Sequence, residues 1–146
     1  MDKLNLHNCG EKSYQHIFIF HRGRDGDRIG HTEIMTIQEL IEKAAELQIS
    51  LSETQVKQLE QYAQLLVEWN EKMNLTAITE HGEILEKHFY DSILPLGKGK
   101  IFGKVADVGT GAGFPGMVWK IVKPELDVTL IEPTGKRCTF LEEVIH

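Results

Sequence analysis

The sequence predicts an α/β fold in which a parallel sheet follows a helical segment. In residues 105–116 a β-branched run leads into closely spaced glycines, which predicts a strand, a tight turn and the start of a helix. Residues 127–131, D-V-T-L-I, predict a second buried strand that ends at Glu132. Two helix-start signals lie upstream of both strands. A β-loop-α-β unit preceded by helices is therefore predicted.

The upstream helices begin at capping boxes. Thr36 with Glu39 starts the first, and Ser52 with Gln55 starts the second. A third helix is predicted over residues 83–93 and is ended by the proline and the glycine–lysine run that follow it. The apolar stripes are Ile37, Leu40, Ile41, Ala44 and Leu47 in the first helix and Val56, Leu59, Tyr62, Ala63, Leu66, Trp69 and Met73 in the second.

Composition and charge set limits on the class of protein. The chain has 146 residues, a net charge of −6 and two distant cysteines, which we interpret as reduced thiols. The excess of acidic residues falls in residues 35–98, which argues against a broad basic surface for nucleic acid but leaves room for a local basic patch. No apolar run is long enough for a membrane span, and the N-terminus does not resemble a signal peptide. We expect a cytoplasmic protein.

Residues 1–34 differ from the rest in having no sustained periodicity. Their one strand-like piece is residues 17–20, and the polar run at 21–30 is rich in turn-forming residues. We expect a disordered leader, or an extension caused by the choice of start codon, with Met35 as the natural start. The four histidines of this segment are irregularly spaced and lack acidic or cysteine partners, so no metal site is predicted.

The glycine loop fits a dinucleotide-binding motif. Gly111, Gly113 and Gly116 satisfy G-x-G-x-x-G, and Glu132 stands near the distance expected for an acid that binds ribose hydroxyls. This reading would make the protein a nicotinamide-dependent oxidoreductase. The motif by itself is weak evidence, and a glycine turn without a ligand remains an alternative.

A second interpretation of the motif includes the acidic residue before the loop. Asp107, Gly109, Gly111 and Gly113 form D-x-G-x-G-x-G, which resembles motif I of S-adenosylmethionine-dependent methyltransferases. Dinucleotide-binding folds usually have an apolar residue where Asp107 stands, so this parse is favoured. In it Asp107 either caps N–H groups of the loop or contacts the cofactor directly.

His88, Asp91 and Ser92 share one face of the third predicted helix. A hydrolytic triad is not predicted, because a nucleophilic serine needs a strained, exposed turn and a base that approaches from another element. Polar helix-end residues, or residues that line the mouth of the cofactor site, are the remaining interpretations.

The motifs together resemble a specific family, the bacterial 16S ribosomal RNA guanine-N7 methyltransferases, also called glucose-inhibited division protein B. The resemblance extends from about Met35 to His146. It is carried by W-N-x-x-x-N-L-T (Trp69, Asn70, Asn74, Leu75, Thr76), H-x-x-D-S (His88, Asp91, Ser92), D-V-G-T-G-A-G-F-P-G from Asp107, and K-R-x-x-F-L (Lys136, Arg137, Phe140, Leu141).

The resemblance implies a Rossmann-like methyltransferase fold with an N-terminal helical cap over residues 35–98. It implies methyl transfer from S-adenosylmethionine to N7 of guanine 527 in 16S ribosomal RNA, naked or within the small subunit, by a monomer when the enzyme is complete. The family's cofactor contacts correspond to Gly109 and Phe114, and Glu132 takes the place of a ribose-binding aspartate. We assign no catalytic base, because N7 is already a nucleophilic lone pair.

The resemblance also implies a C-terminal truncation. The family continues for roughly a hundred residues past His146, with a third strand, adenine-side contacts and the strands on the other side of the first, so residues 99–146 correspond to the first half of the methyltransferase domain. We expect the 146-residue chain not to methylate ribosomal RNA. A non-enzymatic remnant that binds no cofactor is the third alternative.

Overall fold

The computed structural model describes residues 4–8 and 34–146. It contains a three-stranded, fully parallel sheet in the order β1-β3-β2. Strand β1 spans Leu4–Asn8, β2 spans Lys104–Val108 and β3 spans Asp127–Glu132. The predicted α/β class is confirmed, and both predicted strands are present within a residue of their expected bounds.

Five helical segments accompany the strands among the described residues. Helix α1 spans Ile37–Glu46, α2 spans Glu53–Met73, α3 covers residues 81–98, α4 spans Gly116–Val122 and α5 spans Gly135–Ile145. Both predicted capping boxes are present, with Thr36 and Ser52 each accepting from the backbone N–H three residues on. Helix α4 connects β2 to β3, so these three elements form a βαβ unit.

The third helix differs from its prediction. It begins at His81, passes through a π-helical segment at Ile84–Tyr90, and continues as a 3-10 helix over Leu94–Lys98. The π segment has more residues per turn than an α-helix, and it buries Ile84, Leu85, His88 and Phe89. Proline is tolerated in the first turn of the 3-10 segment, where its missing N–H is not needed.

Strand β1 corrects the prediction for the N-terminal leader. Leu4–Asn8 lies in the segment expected to be a disordered leader or an extension caused by the choice of start codon, yet it pairs in parallel with β3, with Leu4 level with Val128 and Leu6 level with Leu130. Asn5 also donates a 3.2 Å hydrogen bond to Asp127. The strand-like piece at residues 17–20 and the proposed leader from residue 9 to residue 33 lie outside the described residues.

One apolar core runs through the helical segment and the βαβ unit. Helix α2 packs against α4 and α5, while α3 packs against α1 and α4. Its largest fully buried side chains are Tyr62, Phe89, Phe140, Leu40, Leu59, Leu66, Ile84, Leu85, Ile93, Met117, Leu126 and Leu130. In the described part of the chain, no helix is both long and apolar enough to cross a bilayer.

Gln55 joins the start of α2 to the end of α4. Its Oε1 accepts from Ser52 N at 2.8 Å, and its Nε2 donates to the carbonyls of Ile121 and Val122 at 3.1 and 3.3 Å. Carbonyls in the last turn of a helix lack partners within that helix. The capping box of one helix therefore also caps the C-terminus of the other.

This double role predicts the effect of Gln55→Glu. The carboxylate keeps an acceptor for Ser52 but presents an oxygen to the Ile121 and Val122 carbonyls, so we expect the free energy of unfolding to fall by about 1–3 kcal/mol. Urea denaturation measures this loss. Glu39→Gln is the matched control, because Glu39 closes an exposed capping box without a second contact; its cost should stay below about 1 kcal/mol. Equal losses in the two variants would contradict the bridging role.

Candidate functional site in the glycine loop between β2 and α4

The loop after β2 leaves part of its backbone open. Gly109 and Gly111 have φ values of +70° and +62°, and a Cβ added at either would meet no atom within 4 Å. The left-handed backbone predicted for this turn is therefore present at both positions, and the space beside them is open. An approaching molecule would meet bare backbone here.

The two later glycines serve packing. A Cβ on Gly113 would lie 2.5 Å from the Tyr62 hydroxyl oxygen, and one on Gly116 would lie 2.5 Å from Leu130 Cδ2 and 2.9 Å from Asp107 Oδ2. Gly116 thus allows α4 to begin directly against β2 and β3. Packing thus explains glycine at positions 113 and 116, whereas Gly111 remains open.

Asp107 holds the loop and the start of α4 from the end of β2. Its Oδ2 accepts from Thr110 Oγ1 at 2.7 Å and from Gly116 N at 2.9 Å. Burial raises the pKa of the Asp107 carboxyl above its usual value, and the charge of Glu132 adds to the rise, while the two hydrogen bonds oppose it. Of the two roles considered for Asp107, capping of a backbone N–H group is seen in the structure, at Gly116 N.

Glu132 meets the loop from the end of β3. Its Oε2 accepts from Gly111 N at 2.8 Å, and its Oε1 accepts from Thr134 N at 3.1 Å and lies 3.8 Å from Arg137 Nη1. Only 1% of Glu132 is exposed. The structure therefore brings the predicted ribose-binding acid to the glycine loop, but with both oxygens engaged by the chain itself.

Phe114 connects the loop to the helical segment. The His88 ring stacks on it, with centroids 4.3 Å apart and planes 2° from parallel, and Tyr62 and Phe89 contact it at 5.4 and 6.1 Å. The Tyr62 hydroxyl donates to the Ala112 carbonyl within the loop. Burial raises the pKa of Tyr62 well above its usual value, which keeps this hydroxyl a donor.

The polar face of α3 does not form a hydrolytic triad. Ser92 Oγ donates to the His88 carbonyl at 2.5 Å, and the Ser92 carbonyl accepts from Trp119 Nε1 at 2.6 Å. Ser92 is buried on a helix, and its hydroxyl is used within that helix. The second contact ties α3 to α4, and the first agrees with the rejection of a nucleophilic serine.

Comparison with known proteins identifies the family. Residues 55–146 match the family described as GidB, rRNA small subunit methyltransferase G. The chain belongs to this family. It is 51% identical over 110 residues to ribosomal RNA small subunit methyltransferase G of Lactococcus lactis subsp. cremoris strain SK11, covering 73% of this chain and 46% of the relative.

Two further relatives give the same result. The protein of that name from Lactococcus lactis subsp. lactis strain IL1403 is 52% identical over 110 residues, covering 73% of this chain and 46% of the relative. The one from Streptococcus sanguinis strain SK36 is 51% identical over 111 residues, covering 74% and 47%. The chain spans about half the length of these curated relatives. The family resemblance predicted from the motifs is confirmed.

Within this family member the predicted residues fall into two groups. Asp107, Gly109, Gly111 and Glu132 converge on one loop, whereas Phe114 lies at its far end against α3. Sequence reasoning missed two contributors. The contact of Thr110 with Asp107 has a local signal, because the two residues are three apart in the sequence. The contact of Tyr62 with Ala112 has none, because Tyr62 is one of several apolar positions of α2 in the sequence.

The raised pKa of Asp107 predicts a pH dependence of stability. A carboxyl whose folded pKa exceeds its ordinary value of 3.8 adds stability below that value, and this stability is lost as the pH rises through the folded pKa. In Asp107→Asn this position has no carboxyl group that can gain or lose a proton. The unfolding free energy of the wild type minus that of Asp107→Asn should therefore decrease above pH 3.8, by about 1.4 kcal/mol for each pH unit between the two pKa values. Urea denaturation from pH 3.5 upward measures it. A difference that grows with pH would contradict a raised pKa.

Proposed function

We propose that this chain is the S-adenosylmethionine-binding part of an enzyme that methylates N7 of a guanine in 16S ribosomal RNA. The observation that carries the proposal is the open backbone at Gly109 and Gly111, set between two strand-end carboxylates. In open α/β sheets, ligands bind beyond the carboxyl ends of the strands, which is where this loop stands. Family membership supplies the reaction class.

The domain division follows from this proposal. Residues 35–98 form a helical cap and residues 99–146 form the first half of the methyltransferase domain. The cap reaches the loop through Tyr62 and His88. A ribosomal substrate also places the protein in the cytoplasm.

Three kinds of contact would hold the cofactor. The backbone at Gly109 and Gly111 admits it closely, Phe114 packs against it, and Glu132 accepts from its ribose hydroxyls. Each carboxylate oxygen has a second lone pair, so Glu132 can accept a hydroxyl while it keeps its N–H partners. Since Glu132 is 1% exposed, ribose binding requires the loop residues that cover it to move.

The chemistry asks for alignment rather than proton transfer. When bound, S-adenosylmethionine supplies an electrophilic methyl group on a cationic sulfur. The chain's task is to hold the cofactor in one orientation and to exclude water, and the buried contacts of the loop provide that rigidity. Asp107, partly buried at the end of β2, adds negative potential at this edge of the sheet, which favours a cationic ligand.

A nicotinamide-dependent oxidoreductase is the alternative from a different class. It depends on the G-x-G-x-x-G spacing of Gly111, Gly113 and Gly116 and leaves Asp107 unexplained. A fluorescence titration separates the two functions. Binding of NADH without binding of S-adenosylmethionine would replace the proposal, and binding of neither would favour the non-enzymatic remnant.

Gly111→Ala tests the cofactor loop. Alanine at φ > 0 costs roughly 1–2 kcal/mol, and its methyl group enters the space assigned to the ligand. Gly103→Ala is the matched control, because Gly103 has φ +72° and equally open surroundings but precedes β2, at the opposite end of the strand.

The two variants should lose similar stability, but only Gly111→Ala should weaken S-adenosylmethionine binding. We expect the dissociation constant of Gly111→Ala to rise at least about tenfold, the loss expected from displacing one close ligand contact. The dissociation constant of Gly103→Ala should stay within about twofold of wild type. Titration followed by NMR detects even weak binding. Unchanged affinity in Gly111→Ala would remove this loop from the cofactor site.

Methyl transfer tests the substrate. The 146-residue chain and a chimera, in which it is followed by the C-terminal half of the Lactococcus lactis relative, are incubated with small subunits that lack the methyl group and with labelled S-adenosylmethionine. We expect N7-methylguanine in 16S ribosomal RNA from the chimera and none from the 146-residue chain, because β2 pairs only with β3 in the described part of the sheet.

Mass spectrometry of RNA fragments locates the label. A chimera that folds and binds S-adenosylmethionine but leaves the RNA unmodified would contradict the RNA substrate. Transfer by the 146-residue chain at the rate of the chimera would contradict its inactivity.

A further inference from the structure

We propose that His88 is a positioning residue for the glycine loop, in which Thr76 fixes the imidazole and the imidazole in turn supports Phe114. The inference rests on the proposed function, because Phe114 is there a residue that contacts S-adenosylmethionine. It assigns a role to two motifs, W-N-x-x-x-N-L-T and H-x-x-D-S, that lie outside the loop in sequence.

The contact between His88 and Phe114 is a face-to-face stack. With centroids 4.3 Å apart and planes 2° from parallel, one face of Phe114 is covered by the imidazole. His88 is 6% exposed, whereas Phe114 keeps partial exposure. Rotation of either ring would break the parallel contact, so the orientations of His88 and Phe114 are coupled.

The orientation of His88 is fixed from its other side. His88 Nε2 and Thr76 Oγ1 share a 2.8 Å hydrogen bond, and Thr76 Oγ1 also accepts from Ile78 N at 3.0 Å. Thr76 N in turn donates to Asn70 Oδ1 at 2.8 Å. The rotation of an imidazole about its last side-chain torsion is broad unless a partner selects one angle. Thr76 is such a partner.

The backbone delivers these groups from two helices. Asn74 ends α2 in a left-handed conformation, with φ 49°, and the chain then turns so that Thr76 lies over His88. On α3 the π-helical segment buries His88 beside Phe89. Such segments are common at functional sites because they re-aim a side chain within a helix. The Asn70–Thr76–His88 chain therefore links the end of α2 to the loop.

A purely structural role would predict a different result. Buried polar groups need hydrogen bonds, and Thr76 supplies one to the buried Asn70 and one to the buried His88. If that were their whole effect, breaking the Thr76–His88 bond would lower stability and leave the loop and the affinity of folded protein unchanged. A positioning role requires the loop itself to respond.

Substitutions at Thr76 give the decisive test. Thr76→Val keeps the shape and removes the hydroxyl, while Thr76→Ser restores it. His88→Leu removes the ring but also core volume, so it serves as a supporting variant. Thr139→Val is the matched control, because Thr139 Oγ1 makes a 3.1 Å bond to the Gly135 carbonyl on the exposed side of α5.

Two measurements are made on each variant of the 146-residue chain. Hydrogen exchange of the Gly113, Phe114 and Met117 amides, which donate within the loop and the first turn of α4, reports on loop order without cofactor. Titration with S-adenosylmethionine, followed by NMR under conditions where every variant is folded, reports on affinity. A melting curve of each variant separates these effects from global stability.

In Thr76→Val, which removes the bond to His88 and the acceptor of Ile78 N, we expect faster exchange at the loop amides. The dissociation constant for S-adenosylmethionine should rise by about fivefold, the size of effect that one lost hydrogen bond has. Thr76→Ser and Thr139→Val should stay within about twofold of wild type on both measures. Unchanged loop exchange in Thr76→Val would overturn the positioning role, whatever the affinity. If wild-type protein binds no S-adenosylmethionine, the proposed function fails, while the exchange data still decide whether Thr76 and His88 order the loop.

Discussion

The glycine loop depends on two carboxylates that stand at the ends of neighbouring strands. Asp107 on β2 and Glu132 on β3 accept the loop's Gly116 and Gly111 amides, and Glu132 also accepts the amide of Thr134 before α5. Because the strands are parallel and adjacent, both acids reach the same edge of the sheet. They lie close enough for the charge of Glu132 to raise the pKa of Asp107. The loop is thus built on anions that repel one another, an arrangement that a cationic ligand would relieve.

The helical segment is a structural part of this loop. Tyr62 on α2 places its hydroxyl on the Ala112 carbonyl and its ring against Phe89, Phe114 and Phe140. A buried carbonyl that loses its donor is costly, so α2 and the loop must dock together. Gln55 makes a second polar connection at the other end of α4. The helical segment and the βαβ unit therefore share one apolar core.

The sequence was sufficient wherever structure is determined by neighbours along the chain. Capping boxes at Thr36 and Ser52, the glycines with positive φ and the strand before Glu132 all have local signals, and all are present. The sequence was insufficient where the structure of a segment depends on a residue distant along the chain. Strand β1 has only five residues and gains its stability from β3, and the burial of Glu132 results from the fold of the loop above it. Likewise, the π-helical turn of α3 departs from the 3.6-residue period on which helix prediction rests.

Strand β1 also bears on how the molecule folds. Its partner strand lies far along the chain, since Asn5 and Asp127, joined by a hydrogen bond, are 122 residues apart. The β2–α4–β3 unit needs only a short crossover, whereas pairing β1 with β3 closes a loop of nearly the whole chain. Contacts of such long range are slow to form. We therefore expect this edge of β3 to stand open during folding until residues 4–8 arrive, so that β1 is the last of the three described strands to pair.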